Sequence, residues 1–159
     1  MSRGFGYLTD ELVFVPRGSL DVEGFTRPLS LKLGGAEALR PHVRPEIGAA
    51  APDWAGDLLL PHRLIGRRPT PARSRLDLWL FPTFEAGSEL RIEPLCPAEA
   101  AKSVLEATVN ARNLDRGGLP EAGRLCRASE AFSLRYGSFD QLTTALLPFL
   151  ERRLAAIPA

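Results

Sequence analysis

The sequence lacks the features that would assign it directly to several common functional classes. No apolar run approaches the roughly 20 residues that a membrane-spanning helix needs, and Met1–Gly6 has no apolar stretch typical of a signal peptide. The formal net charge is only +1, whereas a dedicated nucleic-acid binder usually carries a strong basic excess. These absences predict a cytoplasmic protein that binds neither a membrane nor a nucleic acid.

Cysteine and histidine are scarce, which argues against disulfide-based and metal-based folds. The chain has two cysteines, Cys96 and Cys126, and two histidines, His42 and His62. Without an export signal we expect two reduced thiols, and the absence of CxxC spacing favours buried, structural ones. Neither histidine has a partner at metal-ligand spacing, so we interpret both as structural or surface residues.

A phosphate-binding loop is also missing. The pattern GxxxxGK[ST] occurs nowhere, and Gly34-Gly35 is not followed by the lysine and hydroxyl residue that such a loop requires. In nucleotide-binding proteins the backbone amides of this loop surround the phosphates. These 159 residues therefore contain no recognisable phosphate loop.

What is present indicates one α/β domain with a mixed sheet. The chain has 159 residues, of which 45% are apolar and 25% charged, values typical of a globular domain with a real core. We divide it into a first part with short strands (1–35), an irregular part rich in proline and arginine (36–75) and a last part with two strands and three C-terminal helices (76–159).

Periodicity supports these expectations. Alternating apolar residues predict strands near 7–15, 25–31, 75–81, 88–93 and 131–136. The third and fourth of these could pair as a hairpin. Helical spacing follows Pro97 and Pro120, and a capping box formed by Ser138 and Gln141 precedes a last helix that Pro148 should kink.

The adjacent acids Asp10 and Glu11 form the strongest local candidate for a site. Neighbouring side chains on a strand point to opposite faces, so both acids can serve one site only if the strand ends or bends there. In phosphoryl transfer one carboxylate can orient or deprotonate the attacking hydroxyl while the other holds Mg²⁺. The alternative interpretation is an exposed turn between two short strands.

A second candidate is a run of basic residues without any acid between Leu58 and Leu76, which gives this piece five positive charges: Arg63, Arg67, Arg68, Arg73 and Arg75. Because guanidinium groups bind phosphate in a bidentate manner, this loop could hold nucleotide phosphates or contact an acidic partner. Arginine outnumbers lysine by 18 to 2 in the whole chain. The favoured interpretation of the run is therefore a solvated, arginine-biased loop.

The segment Arg3–Val13 (RGFGYLTDELV) resembles the HPr serine kinase/phosphorylase family, and most closely the HPr-kinase-related proteins. In that family a phosphate loop opens a helix, the helix ends near Arg-Gly, and a following strand presents an acidic pair. Similar later segments are Arg27–Lys32 (RPLSLK), Leu80–Gly87 (LFPTFEAG), Leu90–Leu95 (LRIEPL) and Leu134–Gly137 (LRYG).

This resemblance implies an ATP- and Mg²⁺-dependent protein serine kinase with a core like that of phosphoenolpyruvate carboxykinase. By the same resemblance Asp10 takes the position of the base for the substrate hydroxyl, Glu11 lies near magnesium, and Lys32 lies near phosphate. The family usually has two aspartates in the acidic pair, so Glu11 is a departure from its pattern.

Met1 corresponds to a point just after the family's phosphate-loop helix, so we expect the loop about 15 to 20 residues upstream or in a partner chain. Two hypotheses follow. The chain is a kinase-like portion, truncated at the N-terminus and inactive alone, that acts on a protein substrate together with a phosphate-loop-bearing partner. Alternatively, it is a non-catalytic interaction module that uses its arginine-rich loop or an exposed sheet edge, with a homo-oligomer as one form.

Overall fold

The structure, a computed structural model, describes residues 5–25, 27–32, 51–52, 58–61 and 73–155. The predictions made for His42, His62, Arg63, Arg67 and Arg68 concern residues outside these ranges. The chain divides into two compact units, Met1–Arg75 and Leu76–Ala159.

The first unit contains short antiparallel strands, which in its described residues form two three-stranded sheets with the orders β1-β2-β6 and β3-β5-β4. The strands are β1 (Val13–Phe14), β2 (Asp21–Gly24), β3 (Leu29–Leu31), β4 (Ala51–Pro52), β5 (Leu58–Leu60) and β6 (Ser74–Arg75). Its buried hydrophobic side chains, within those residues, are Tyr7, Val22 and Leu60.

The strand predicted near 7–15 is wrong in extent, because only Val13–Phe14 pairs as a strand and Asp10 and Glu11 lie in a bend. The cause is local: the Glu11 amide donates to Thr9 Oγ1 at 3.2 Å. Such a short polar side chain offers the backbone an alternative to the sheet ladder. The strand predicted near 25–31 is likewise shorter, because β3 begins only at Leu29, after Pro28.

The second unit contains a mixed sheet of β7 (Leu78–Phe84), β8 (Arg91–Pro94) and β9 (Glu130–Tyr136). Strand β9 lies in the centre, parallel to β7 and antiparallel to β8. The hairpin expected between the two strands that became β7 and β8 is therefore wrong. Pro82 is compatible with β7 because that strand lies at an edge, where a missing donor does no harm.

The helices of the second unit are α1 (Pro97–Ala107), α2 (Leu119–Arg127), α3 (Phe139–Gln141) and α4 (Leu147–Ala155). A π-helical turn, Leu142–Leu146, joins α3 to α4, so the irregularity expected at Pro148 begins just before it. The capping box at Ser138 is confirmed, since its Oγ accepts from the Gln141 amide at 3.5 Å. The expectation of a mixed α/β chain with C-terminal helices is thereby confirmed.

Helices cover both faces of the central strand β9. On one face the small residues Ala100 and Ala101 of α1 and Ala122 and Cys126 of α2 form a cluster with Ala131 of β9. Small side chains let helices approach a sheet closely, which explains why this cluster is almost fully buried.

On the opposite face of β9, aromatic contacts attach the last helix. The rings of Phe132 and Phe149 meet edge to face, with centroids 5.0 Å apart. The Arg153 guanidinium lies 5.2 Å from the centre of the Phe132 ring. Edge-to-face rings and a cation over a ring face are both favourable arrangements.

The two thiols differ in environment, and both are free of disulfide bonds, as expected. Cys126 is buried, and this burial raises the pKa of its thiol. The expectation that Cys96 is also buried is wrong, because this residue is the exposed N-cap of α1, where its amide donates to Glu99 Oε2 at 2.9 Å. No helix in the described part of the chain is long and apolar enough to cross a membrane.

Replacing Gly123, in the middle of α2, should stabilise the fold. A Cβ there would meet only the flexible end of Arg127, whose Nη1 is 3.1 Å away. Because glycine costs about 1 kcal/mol relative to alanine inside a helix, we expect Gly123→Ala to raise the free energy of unfolding by about 0.5–1 kcal/mol. Urea unfolding followed by circular dichroism measures this, and an unchanged or lower midpoint would contradict it.

Candidate functional site

The carboxylate of Asp10 is held at both oxygens. Its Oδ1 accepts the hydroxyl of Tyr7 at 2.7 Å, and its Oδ2 accepts the backbone amide of Ser30 in β3 at 3.3 Å. The residue itself is exposed. An ionised carboxylate offers about four lone-pair positions, so two hydrogen bonds orient Asp10 and leave further positions for a ligand on the exposed side.

Tyr7 is the buried member of this arrangement, with 8% of its surface exposed. Its hydroxyl oxygen also lies 3.2 Å from the carbonyl oxygen of Arg27. Burial, and next the hydrogen bond to Asp10, raise the pKa of Tyr7 above its ordinary value. The phenol therefore stays protonated into the alkaline range and remains a donor to Asp10 there.

Glu11, the second acid, is exposed and paired loosely. Its Oε1 lies 3.6 Å from Nη1 of Arg27, and both side chains are close to half exposed. Solvent-exposed pairs of this kind contribute only about 0–1 kcal/mol. Displacing the Arg27 guanidinium from Glu11 by a divalent cation therefore costs little free energy.

The bend brings both acids to the same stretch of chain, residues 27–30. Asp10 contacts the Ser30 amide and Glu11 contacts the Arg27 guanidinium. From the sequence, the two acids could serve one site only if the chain bends there and does not continue as a strand. The chain does bend at Asp10 and Glu11. Lys32, the third predicted residue, is exposed just after β3, the strand to which Asp10 is bonded.

The chemistry open to this acidic bend, defined as Asp10 and Glu11 with Tyr7, is that of a partial cation site. Within the residues that the structure describes, no group of three or more His, Cys, Asp or Glu side chains is arranged to hold a metal ion. Mg²⁺ is commonly bound by one or two carboxylates together with water and substrate phosphates. The bend offers two carboxylates, which are the ligand type that Mg²⁺ uses in such sites.

Two residues that contact the acids were not assigned roles from the sequence: Tyr7, which orients Asp10, and Arg27, which pairs with Glu11. Tyr7 lies three residues before Asp10, a spacing that a tight bend would bring into contact. Arg27 carries no local signal, because its approach depends on the pairing of later strands.

No family model, no curated protein and no solved structure matches the chain. The acidic bend has to be interpreted from its own residues and geometry.

The Tyr7 phenol provides a direct test of this arrangement. Its raised pKa in the folded state stabilises the fold fully below the unfolded-state pKa, about 10, and that stability is lost as pH rises above it. Tyr136→Phe leaves Tyr7 as the sole tyrosine. We expect phenolate absorbance in that variant to appear only together with unfolding in an alkaline titration. Ionisation near pH 10 in a chain that is still folded would contradict the buried hydrogen bond.

Proposed function

We propose that this chain is an HPr-serine-kinase-like protein in which Asp10 and Glu11 form the acidic half of a nucleotide site. The observation that supports this most is that two adjacent, exposed carboxylates lie in one bend, with Asp10 oriented by Tyr7 and Ser30. An isolated surface turn does not need a buried phenol to fix one of its carboxylates. Catalytic positioning does, because misplaced groups lose most of their effect.

In this proposal each residue acts through its own chemistry. Asp10 accepts the proton of a substrate serine hydroxyl through a lone pair that Tyr7 and Ser30 leave unused. Glu11, whose pair with Arg27 is weak, would hold the Mg²⁺ that accompanies ATP. Lys32 neutralises phosphate charge. ATP with Mg²⁺ supplies the transferred phosphoryl group, and stabilisation of its charge accounts for most of the catalysis in such reactions.

The remaining parts of the nucleotide site lie outside the acidic bend. No phosphate loop occurs in the sequence, so the proposal requires one from another segment or chain. Arg67 and Arg68, which precede the second unit, are the residues of this chain that we assign to phosphate contact. A cytoplasmic location and a core like that of phosphoenolpyruvate carboxykinase belong to the same proposal, with which the mixed α/β architecture is compatible.

Nucleotide binding and turnover test the proposal. With a phosphate-loop-bearing partner and a serine-containing acceptor protein added, we expect Mg²⁺-dependent binding of a fluorescent ATP analogue. In turnover with ATP we expect transfer of the phosphoryl group to the acceptor serine and release of ADP. Asp10→Asn should lower turnover at least about 100-fold, the usual loss when a general base is removed, and change nucleotide affinity far less. Glu11→Gln should instead raise the Mg²⁺ concentration required.

Asp21→Asn is the matched control, since Asp21 is an exposed acid of β2 away from the bend. It should leave both binding and turnover unchanged. Absence of Mg²⁺-dependent binding with and without the partner would refute the kinase proposal.

A second candidate function, a non-catalytic interaction module, is favoured by a different observation. Among the residues that the structure describes, strand β1 pairs on one side only, and its apolar side chains Val13 and Phe14 are exposed. Leu12 before it is exposed too, as is Phe25, whose amide donates to the Leu12 carbonyl. Phe14 and Phe25 are 65% and 64% exposed. Exposed apolar groups at an unpaired edge favour pairing with another chain.

Light scattering distinguishes this alternative. If the β1 edge mediates self-association, the mass of the protein rises with concentration, and the double variant Phe14→Ser/Phe25→Ser returns it to the monomer. Both side chains are mostly exposed, so we expect the far-ultraviolet circular dichroism to stay unchanged. A wild-type chain that remains monomeric at all concentrations would count against the module.

A further inference from the structure

A groove of about 960 Å³ runs between α1 and α2 in the second unit. Both helices contribute apolar lining, and we call these six residues the groove floor: Pro97, Ala101, Leu105, Leu119, Pro120 and Gly123. Gly123 lines the α2 side without a side chain, next to the guanidinium of Arg127. Leu119 is 57% exposed, so part of the apolar floor is in contact with water.

The rim of the groove is basic. Three cations line it, Lys102, Arg116 and Arg127, against one acid, Glu106. Lys102 and Glu106 approach only to 3.9 Å, and both are largely exposed, so this pair is weak. Among the described residues no carboxylate forms an ion pair with Arg116 or Arg127. The rim therefore has positive charge available for an acidic ligand.

Arg116 occupies its place on the rim in an uncommon backbone conformation. Its φ is 47° and its ψ is 38°, in the left-handed region that favours glycine, and it is the only non-glycine residue with positive φ in the described part of the chain. Gly117 and Gly118 follow it with positive φ. An arginine kept in a conformation suited to glycine is a reason to look for a role of its side chain.

The cations lie on both walls of the groove. Lys102 belongs to α1, whereas Arg116 precedes α2 and Arg127 ends it, with its guanidinium next to Gly123. A ligand with one anionic headgroup would meet the cations of one wall only. A helix with carboxylates on both sides of its apolar stripe would meet the cations of both walls and pack on the groove floor, as amphipathic helices do in helix-lined grooves.

We propose that the α1–α2 groove docks an amphipathic helix of a partner protein whose apolar stripe is flanked by acidic residues. The proposal does not depend on the acidic bend of the first unit, and either can fail without the other. It assigns an interaction surface to the second unit, with charge complementarity selecting the partner.

A designed peptide tests the groove directly. The probe is a labelled 18-residue helix with leucines at helical spacing and flanking glutamates. The matched control is the same peptide with lysines in place of the glutamates. Fluorescence anisotropy with the full-length chain should show saturable binding of the glutamate peptide, weakened by salt because exposed charges are screened. The lysine peptide should not bind.

Variants of the rim separate docking from folding. Arg116→Gly suits the left-handed backbone, so we expect thermal stability to be kept or raised while peptide affinity falls about two- to fivefold, the range for one exposed ion pair. Arg127→Glu should shift the preference toward the lysine peptide. Arg112→Gln is the control, because Arg112 is exposed but does not line the groove, and it should change neither property.

Cys96 reports on occupancy, because this exposed thiol lines the groove whereas Cys126 is buried. The glutamate peptide should slow chemical modification of Cys96. Equal binding of both peptides, unchanged affinity in Arg116→Gly, or a modification rate that the peptide leaves unaltered would each overturn the proposal.

Protection by dodecanoate and not by the peptide would assign the groove to a small amphiphile. Protection that rises with protein concentration alone would assign it to a second copy. Either result also overturns the proposal.

Discussion

The pair of hydrogen bonds at Asp10 determines the arrangement of the candidate site in the first unit. One carboxylate joins the buried Tyr7 hydroxyl to the Ser30 amide, and so connects the bend before β1 to strand β3. Without these contacts the alternation of apolar and polar residues over 7–15 would favour a continuous strand. Asp10 and Glu11 would then point to opposite faces of the sheet. Lys32 follows directly after β3, the strand that Asp10 contacts through Ser30.

The two units are stabilised differently. The second has a cluster of small buried residues between helices and sheet and an aromatic contact on the other face of β9. In the described part of the first unit, fewer side chains are buried and polar contacts of Tyr7, Asp10 and Thr9 supplement them. A hydrogen bond contributes about 1 kcal/mol net, less than a fully buried large apolar side chain.

Sequence periodicity anticipated most of the second unit but not its pairing. The helices after Pro97 and Pro120 and the strand near 131–136 follow from local spacing and caps, which act within a few residues. Strand β9 lies between β7 and β8 because of pairings between residues about 40 to 50 positions apart in the sequence. The alternation of apolar and polar residues within a strand does not indicate which strand it pairs with. The acidic pair was visible in the sequence, whereas Arg27 and the left-handed Arg116 were not, because neither long-range pairing nor backbone strain has a local signature. The net charge of +1 is a sum over the whole chain, so it does not reveal the local excess of positive charge at the groove rim.

Because Asp10 is both a structural and a candidate catalytic group, the choice of replacement decides what an experiment measures. Asparagine keeps one carbonyl oxygen that can accept the Tyr7 hydroxyl, but its amide nitrogen cannot accept the Ser30 amide, so one hydrogen bond is lost. That loss amounts to about 1 kcal/mol against a typical unfolding free energy of 5–15 kcal/mol. The chain therefore stays folded while the general base is gone, and a fall in turnover of two orders of magnitude could not be attributed to unfolding. A fall of less than tenfold would mean that Asp10 stabilises the bend and does no chemistry.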